Sequence, residues 1–416
     1  FDDDCELDPN EFGFENWNII AKGDQDYYQT SDVDGFFSIP VNAGAYEVSL
    51  VPPSEYWSSC TNSLTVNLNN TYDSTTLNFP VQVEQLCAYL EIDASTSFLT
   101  PCTNSDYYIS YRNKGTISAQ GAYVIADLDP SLVLLGASQD NTFLGDNSYR
   151  FDLGNVSVAA ADSFRVSVLV DCNVEVGQAL CFEAHIYPDT LCVPTGIWDG
   201  SSVSLEADCN GEQVDLRIRN TGANDMTEPQ GYVIIEDELM LRPAGPIQLG
   251  KGEDSLIVRP ADGTTYRIIM DQSAGHPGKS MPTVALEGCI DGGGVFSTGF
   301  LTMFPEDDTD NFLVKDCQEN IPSTDIPSNT KRGYPKGYGD DRLITPETEL
   351  KYVLNFENNG LDTAIRMVIR DTLSPFLDPT TVRPGASSHD YDYEVTGEGI
   401  LKFTFEDIGL LPNGSA

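Results

Sequence analysis

Tyr107-Tyr-Ile-Ser-Tyr-Arg-Asn-Lys-Gly115, Val214-Asp-Leu-Arg-Ile-Arg-Asn-Thr-Gly222 and Leu350-Lys-Tyr-Val-Leu-Asn-Phe-Glu-Asn-Asn-Gly360 are three settings of one phrase. Apolar and polar residues alternate in each up to an Asn-x-Gly. In the first and third a second alternating run follows at once, Ala122-Tyr-Val-Ile-Ala-Asp-Leu128 and Ala364-Ile-Arg-Met-Val-Ile-Arg-Asp-Thr-Leu373. A period of two marks a strand with one face buried, and Asn and Gly supply a turn, so each copy reads as a hairpin at the edge of a β-sandwich. Copies spaced by about a domain length predict tandem sandwiches in a linear array.

The bulk numbers agree with an all-β fold. A chain of 416 residues fits three or four domains of about 100 residues. Its 35 Gly and 24 Pro interrupt every stretch that could carry a helical apolar stripe. Against 22 Lys and Arg stand 65 Asp and Glu, a net charge of −43. Such a field repels phosphate backbones and anionic lipid, which excludes nucleic-acid and membrane-surface partners. Neither a signal peptide nor a membrane-inserting span is visible, since Phe1-Asp-Asp-Asp-Cys5 is neither basic nor followed by an apolar run. Ala416 follows a Leu-Pro-Asn-Gly turn with strands still owed, so the chain is expected to be a fragment of a larger exported protein.

Five segments are expected. Residues 1–83 centre on Thr30-Ser-Asp-Val-Asp-Gly-Phe-Phe-Ser-Ile39 and Val41-Asn-Ala-Gly-Ala-Tyr-Glu-Val-Ser-Leu50, where turns at Gly35 and Gly44 deliver strands with Phe37, Ile39, Tyr46, Val48 and Leu50 facing inward. This pattern resembles the carboxypeptidase-regulatory-like, or collagen-adhesin B-type, prealbumin-like sandwich, with its first strand truncated. Residues 84–205 and 206–318 carry the first two Asn-x-Gly phrases as Ig-like sandwiches. Residues 319–342, rich in Pro, Ser, Asn and Gly and holding the basic patch Lys331-Arg-Gly-Tyr-Pro-Lys336, read as a linker. Residues 343–416 form an incomplete fourth sandwich. Its stretches Val368-Ile-Arg-Asp-Thr-Leu-Ser-Pro-Phe-Leu-Asp378, Val382-Arg-Pro-Gly-Ala-Ser-Ser-His-Asp-Tyr391 and Leu401-Lys-Phe-Thr-Phe405 resemble the conserved repeat domain of large Bacteroidota surface proteins. That resemblance implies an Ig-like array exported by type IX secretion.

No spacing suggests zinc, and ten cysteines scattered through a β-rich chain read as disulfides formed in an oxidising, extracellular setting. Cys5 and Cys60 are alone in the first unit and should pair. Cys87, Cys102, Cys172, Cys181 and Cys192 make five in the second, and Cys209, Cys289 and Cys317 three in the third. Two odd counts require either a bridge across the boundary, which would lock the two domains together, or two free thiols.

No cofactor is required, and calcium is the one ligand the carboxylates invite. Asp2, Asp3 and Asp4, then Asp32 and Asp34 before Gly35, then Asp307, Asp308 and Asp310 place hard oxygen donors in turns. None follows the EF-hand, so each set also reads as solvated turn acids. His185, His276 and His389 fall in three different units, beside no nucleophile elbow, and catalysis is not expected. Lys22, the first unit's single lysine, ends a strand at Ala-Lys-Gly and is poorly placed for the internal Lys-Asn bond of collagen-adhesin B-type domains. Trp17, Tyr56, Trp57 and Trp198 read either as core plugs or as a sugar-stacking platform.

The expected function is that of a non-enzymatic extracellular stalk, fibre or adhesin shaft on a bacterial cell surface. Its partners are the neighbouring domains of the same chain, and edge strands offer a route to a homo-oligomeric filament. The alternative is a set of accessory or carbohydrate-binding domains of a larger secreted enzyme. The surface or glycan ligand is not legible.

Overall fold

A computed structural model describes Cys5, residues 12–189, Cys192, residues 198–240, 244–276, Gly278, residues 281–306, 311–346 and 348–412. Among these the fold is all-β: twenty-eight strands, three short 3-10 turns and no α-helix.

The second module is a two-sheet sandwich. One sheet runs Leu132–Ala137, Ala161–Val170, Asn104–Asn113, Leu90–Thr96; the other runs Asn141–Gly145, Ser148–Val156, Ala119–Leu128, Ala179–Tyr187, Leu313–Glu319. Alternation does the work that the sequence promised. Tyr107 and Ile109 on one strand, Val124 and Ala126 on another and Val166 and Val168 on a third all face inward and are fully buried around Phe151 and Phe182.

The repeated phrase is a different device from the hairpin expected. In all three copies the strand before Asn-x-Gly and the strand after it lie in different sheets: Asn104–Asn113 against Ala119–Leu128, Gln213–Asn220 against Gln230–Glu236, Lys351–Asn355 against Met367–Thr372. The phrase is an arch that carries the chain across the sandwich. Its asparagine organises the crossing. Asn113 Oδ1 accepts the N–H groups of Gly115 (2.9 Å) and Tyr89 (3.3 Å), while its Nδ2 donates to the carbonyls of Ile117 and Val156. Asn220 repeats the pattern with Gly222, Ser202, Asn224 and Leu249. Asn358 repeats it in part, with Gly360, Asp362 and Leu410. The glycine is needed for proximity: a Cβ on Gly115 would fall 2.2 Å from the carbonyl oxygen of Cys87, and one on Gly222 2.4 Å from the nitrogen of Ser202.

The boundary expected at 318 falls inside the second sandwich. Leu313–Glu319 pairs along its length with Ala179–Tyr187, so the third module, whose strands lie within 203–286, is an insertion between two adjacent strands of the second. Alternation reveals a strand but not its partner, which is why the sequence left this strand with its neighbours in the chain. Segment 319–342 is more than a linker, since it carries the strand Thr330–Tyr334 paired to Lys351–Asn355.

The first module has the sheet Tyr27–Thr30, Asn18–Lys22, Gly44–Val51, Leu64–Leu68 over a core of Ile19, Tyr27, Tyr46, Val48 and Val66. Phe37 and Ile39 pack against that core from an irregular segment and not from a strand. The modules do not run in a line. Tyr28 and Gln29 pair with Gly397 and Thr396, joining the first module's sheet to Asp392–Gly397, Ile400–Phe405 and Met367–Thr372 of the fourth in one seven-stranded sheet. Val395 N donates to Thr30 Oγ1 (3.2 Å) and Asn18 Nδ2 to the carbonyl of Thr380 (3.2 Å). An edge strand presents unpaired backbone groups, and here the first module's edge is satisfied by the fourth.

Candidate functional site

The modules converge on strand Leu90–Thr96. Its inward residues Leu90, Ile92 and Ala94 belong to the second module's core, and its outward carboxylates Glu91 and Asp93 meet the fourth module. Glu91 is 8% exposed and ringed by three cations: Lys114 Nζ at 2.8 Å, Arg112 Nε at 3.1 Å and Arg383 Nε at 3.7 Å. Burial would raise its pKa, but Lys114, Arg112 and Arg383 together outweigh burial and hold the carboxyl below its ordinary value. Arg112 also donates to the carbonyl of Pro384, and Asp93 Oδ2 accepts the N–H of Ala386 at 2.6 Å.

Beside it, Lys351 of the fourth module places Nζ 2.6 Å from the carbonyl oxygen of Ala94, 3.2 Å from Asp316 and 3.4 Å from Asp93. Desolvation opposes its charge, but Asp316 and Asp93 prevail and push its pKa well up, so it is an ammonium. Asp316 is 3% exposed on the strand that follows the inserted module. Arg332 donates to the carbonyl of Ser97 (2.5 Å) and to Gln318 (2.8 Å), with its guanidinium 4.2 Å over the Phe98 ring. Lys336 pairs with Glu319. From the first module, Ser54 Oγ and Trp57 Nε1 both donate to the carbonyl of Lys114. In a chain with 22 cations against 65 acids, these cations sit where modules meet and neutralise carboxylates that would otherwise drive them apart. The site holds and positions.

The ten cysteines form five bridges: Cys5–Cys60, Cys87–Cys192, Cys102–Cys172, Cys181–Cys317 and Cys209–Cys289. Cys181–Cys317 crosses the boundary drawn at 205, but it links neighbouring strands of one sheet and so closes the neck of the insertion.

The acidic loops fare unevenly. Asp32 Oδ1 accepts the N–H groups of Asp34 (3.0 Å) and Phe36 (2.9 Å), a turn its carboxylate completes alone. Asp2, Asp3, Asp4, Asp307, Asp308 and Asp310 lie outside the described residues. Among the described residues no three His, Cys, Asp or Glu side chains converge as a metal site. Trp17 and Trp57 pack with Phe14 in a buried cluster, and Tyr56 is 5% exposed, so these three are core. Lys22 is exposed at the end of its strand.

His185 and His276, far apart in sequence, line one cleft between the second and third modules. His276 Nε2 lies 3.1 Å from Ser202 Oγ, and His185 Nε2 3.1 Å from Asp189. His185 is stacked between Tyr187 and Phe312, and its pKa is lowered by burial despite Asp189. The Ser202 N–H is taken by Asn220 Oδ1, so that amide is not free to serve an oxyanion.

Residues 329–415 match a family described as a domain of unknown function, DUF7619. The match begins beside Thr330, where the fourth module's first strand begins. No curated protein matches the chain. Among solved structures it is similar to BcpA, the major pilin subunit of Bacillus cereus (11% identity, 67% of this chain and 93% of that one, TM-score 0.22). It is also similar to the fimbrial protein FimP from Actonomyces oris (11% identity, 68% and 90%, TM-score 0.19). No helix among the described residues is long and apolar enough to cross a membrane.

Proposed function

We propose that this chain is a cross-braced section of an extracellular structural protein, the body of a stalk, fibre or adhesin on a bacterial surface, with no reaction of its own. One observation carries the reading: each module is tied to another that is remote in sequence. The inserted module is closed at its neck by Cys181–Cys317, the fourth is bound to the second through Lys351, Arg332 and Arg383, and it shares a sheet with the first. Bracing of this kind resists shear between modules, which a tethered array of independent domains does not. Five disulfides suit an oxidising compartment.

The resemblance of the fourth module to Bacteroidota surface repeats supports export by type IX secretion, and remaining open sheet edges offer a route to filaments. Immunogold labelling of intact producing cells with antibody to the folded chain tests the placement. Label on the outer surface, lost when type IX secretion is disabled, is the expected result. Label confined to the cytoplasm would overturn it.

A further inference from the structure

Between the second module and the start of the fourth lies a groove of about 540 Å³, within the size range of small-ligand sites. Phe98, Asn104 and Tyr108 form one wall, and Asn329, Asn355 and Phe356 the other. Thr100 also lines it, 5% exposed, and its buried Oγ1 has no hydrogen-bond partner among the described residues. The walls are held in place. Phe98 has one face against the Arg332 guanidinium, Asn355 Oδ1 accepts from Arg332 (3.2 Å) and Asn329 Oδ1 accepts the N–H of Glu357 (3.0 Å). These bonds leave the amide NH2 ends of both asparagines as the donors available to a guest.

The chemistry of the lining selects its ligand. Hydroxyls and amides that both donate and accept alternate with three aromatic rings, and among the described residues the charged members are Asp106 and Glu357, with no Lys or Arg in the lining. Phosphate, sulfate or an acidic sugar would enter a negative site on a chain of charge −43 and be repelled. A purely apolar molecule would strand the polar groups. A ligand rich in hydroxyls, with C–H faces for the rings and no charge, meets both demands. We infer that this groove binds a neutral saccharide of one or two rings. The site is distinct from the buried tryptophan cluster and does not depend on the structural role proposed above, since a saccharide can occupy it whether or not the chain is a shaft.

Saturation-transfer NMR and titration calorimetry on the intact chain test it, using the methyl glycosides of glucose, galactose, mannose and N-acetylglucosamine, with cellobiose and lactose. At least one of these should bind saturably. Asn104→Ala and Tyr108→Ala should each weaken that binding by about tenfold, the effect of losing one good contact. Both side chains face outward, so an unchanged melting temperature would show that the variants fold. Thr221→Ala, in the cleft between the second and third modules, should bind as the parent does. The inference is overturned by no saturable binding to any of these sugars, by binding that survives both substitutions, or by preferential binding of inorganic phosphate or of the neutral peptide Gly-Ser-Gly. None of those results bears on where the cell displays the chain, which the labelling experiment decides separately.

Discussion

Cys181 is bonded to Cys317 across two paired strands that are separated in the chain by the whole of the third module. The bond shortens the loop that unfolding would release, and a bridge of this kind typically contributes about 2–4 kcal/mol. The double variant Cys181→Ser/Cys317→Ser should lose about that much stability in denaturant titration. Limited proteolysis should then cut first in the segments entering and leaving the insertion.

Asn113 makes four hydrogen bonds from a position 1% exposed. Asn113→Ala should cost about 3 kcal/mol, because it strands backbone groups that water cannot reach. Asn358, half-exposed at the equivalent place, should cost about 1 kcal/mol. Gly115→Ala should be worse than either, since its Cβ has no room beside Cys87 and Tyr89. Chemical denaturation of the three variants checks the ranking.

Lys351→Met should separate the fourth module from the second. It leaves Asp316, 3% exposed, without its cation, and a buried charge robbed of its partner costs about 3–5 kcal/mol. Hydrogen exchange should speed up in Thr330–Tyr334 and Lys351–Asn355 while the third module's core keeps its protection.

Glu287 ties the third module to the second by accepting the Ala179 N–H at 2.6 Å. Burial, aided by Glu319 and Asp129, raises its pKa to about 7 against the opposing hydrogen bonds. A carboxyl raised in the folded state holds its proton after the unfolded chain has released its own. Its contribution is therefore full below the unfolded value near 4.5 and falls as pH climbs to about 7. Glu287→Gln should flatten that decline in melting temperature between pH 4.5 and pH 7 and leave the variant more stable than the parent at pH 8, by at most about 3 kcal/mol.

Local pattern was enough for the strands and not for their partners. Alternation in Tyr107–Asn113 or Gln213–Asn220 follows from one buried face, and that survives any topology. The Asn-x-Gly signal was real, but its reading as a hairpin was not. The turn chemistry of Asn and Gly is the same whether the chain returns within a sheet or crosses between sheets, and the tight approach of Gly115 to Cys87 is visible only in three dimensions. The contacts between the second and fourth modules left one trace in the sequence, the basic patch at 331–336, which stands out in an acidic chain and whose Arg332 and Lys336 reach Gln318 and Glu319. Nothing in the sequence places Glu91 within reach of Arg383.

A braced body requires the first and fourth modules to meet, and an engineered crosslink tests that most directly. Gln29 and Thr396 are cross-strand partners, so the double substitution Gln29→Cys/Thr396→Cys should form a disulfide within one chain, found by peptide mapping under non-reducing conditions with the five native bridges intact. Free thiols at both positions, or bridges formed only between chains, would show that the modules extend away from one another and would contradict the braced body described here.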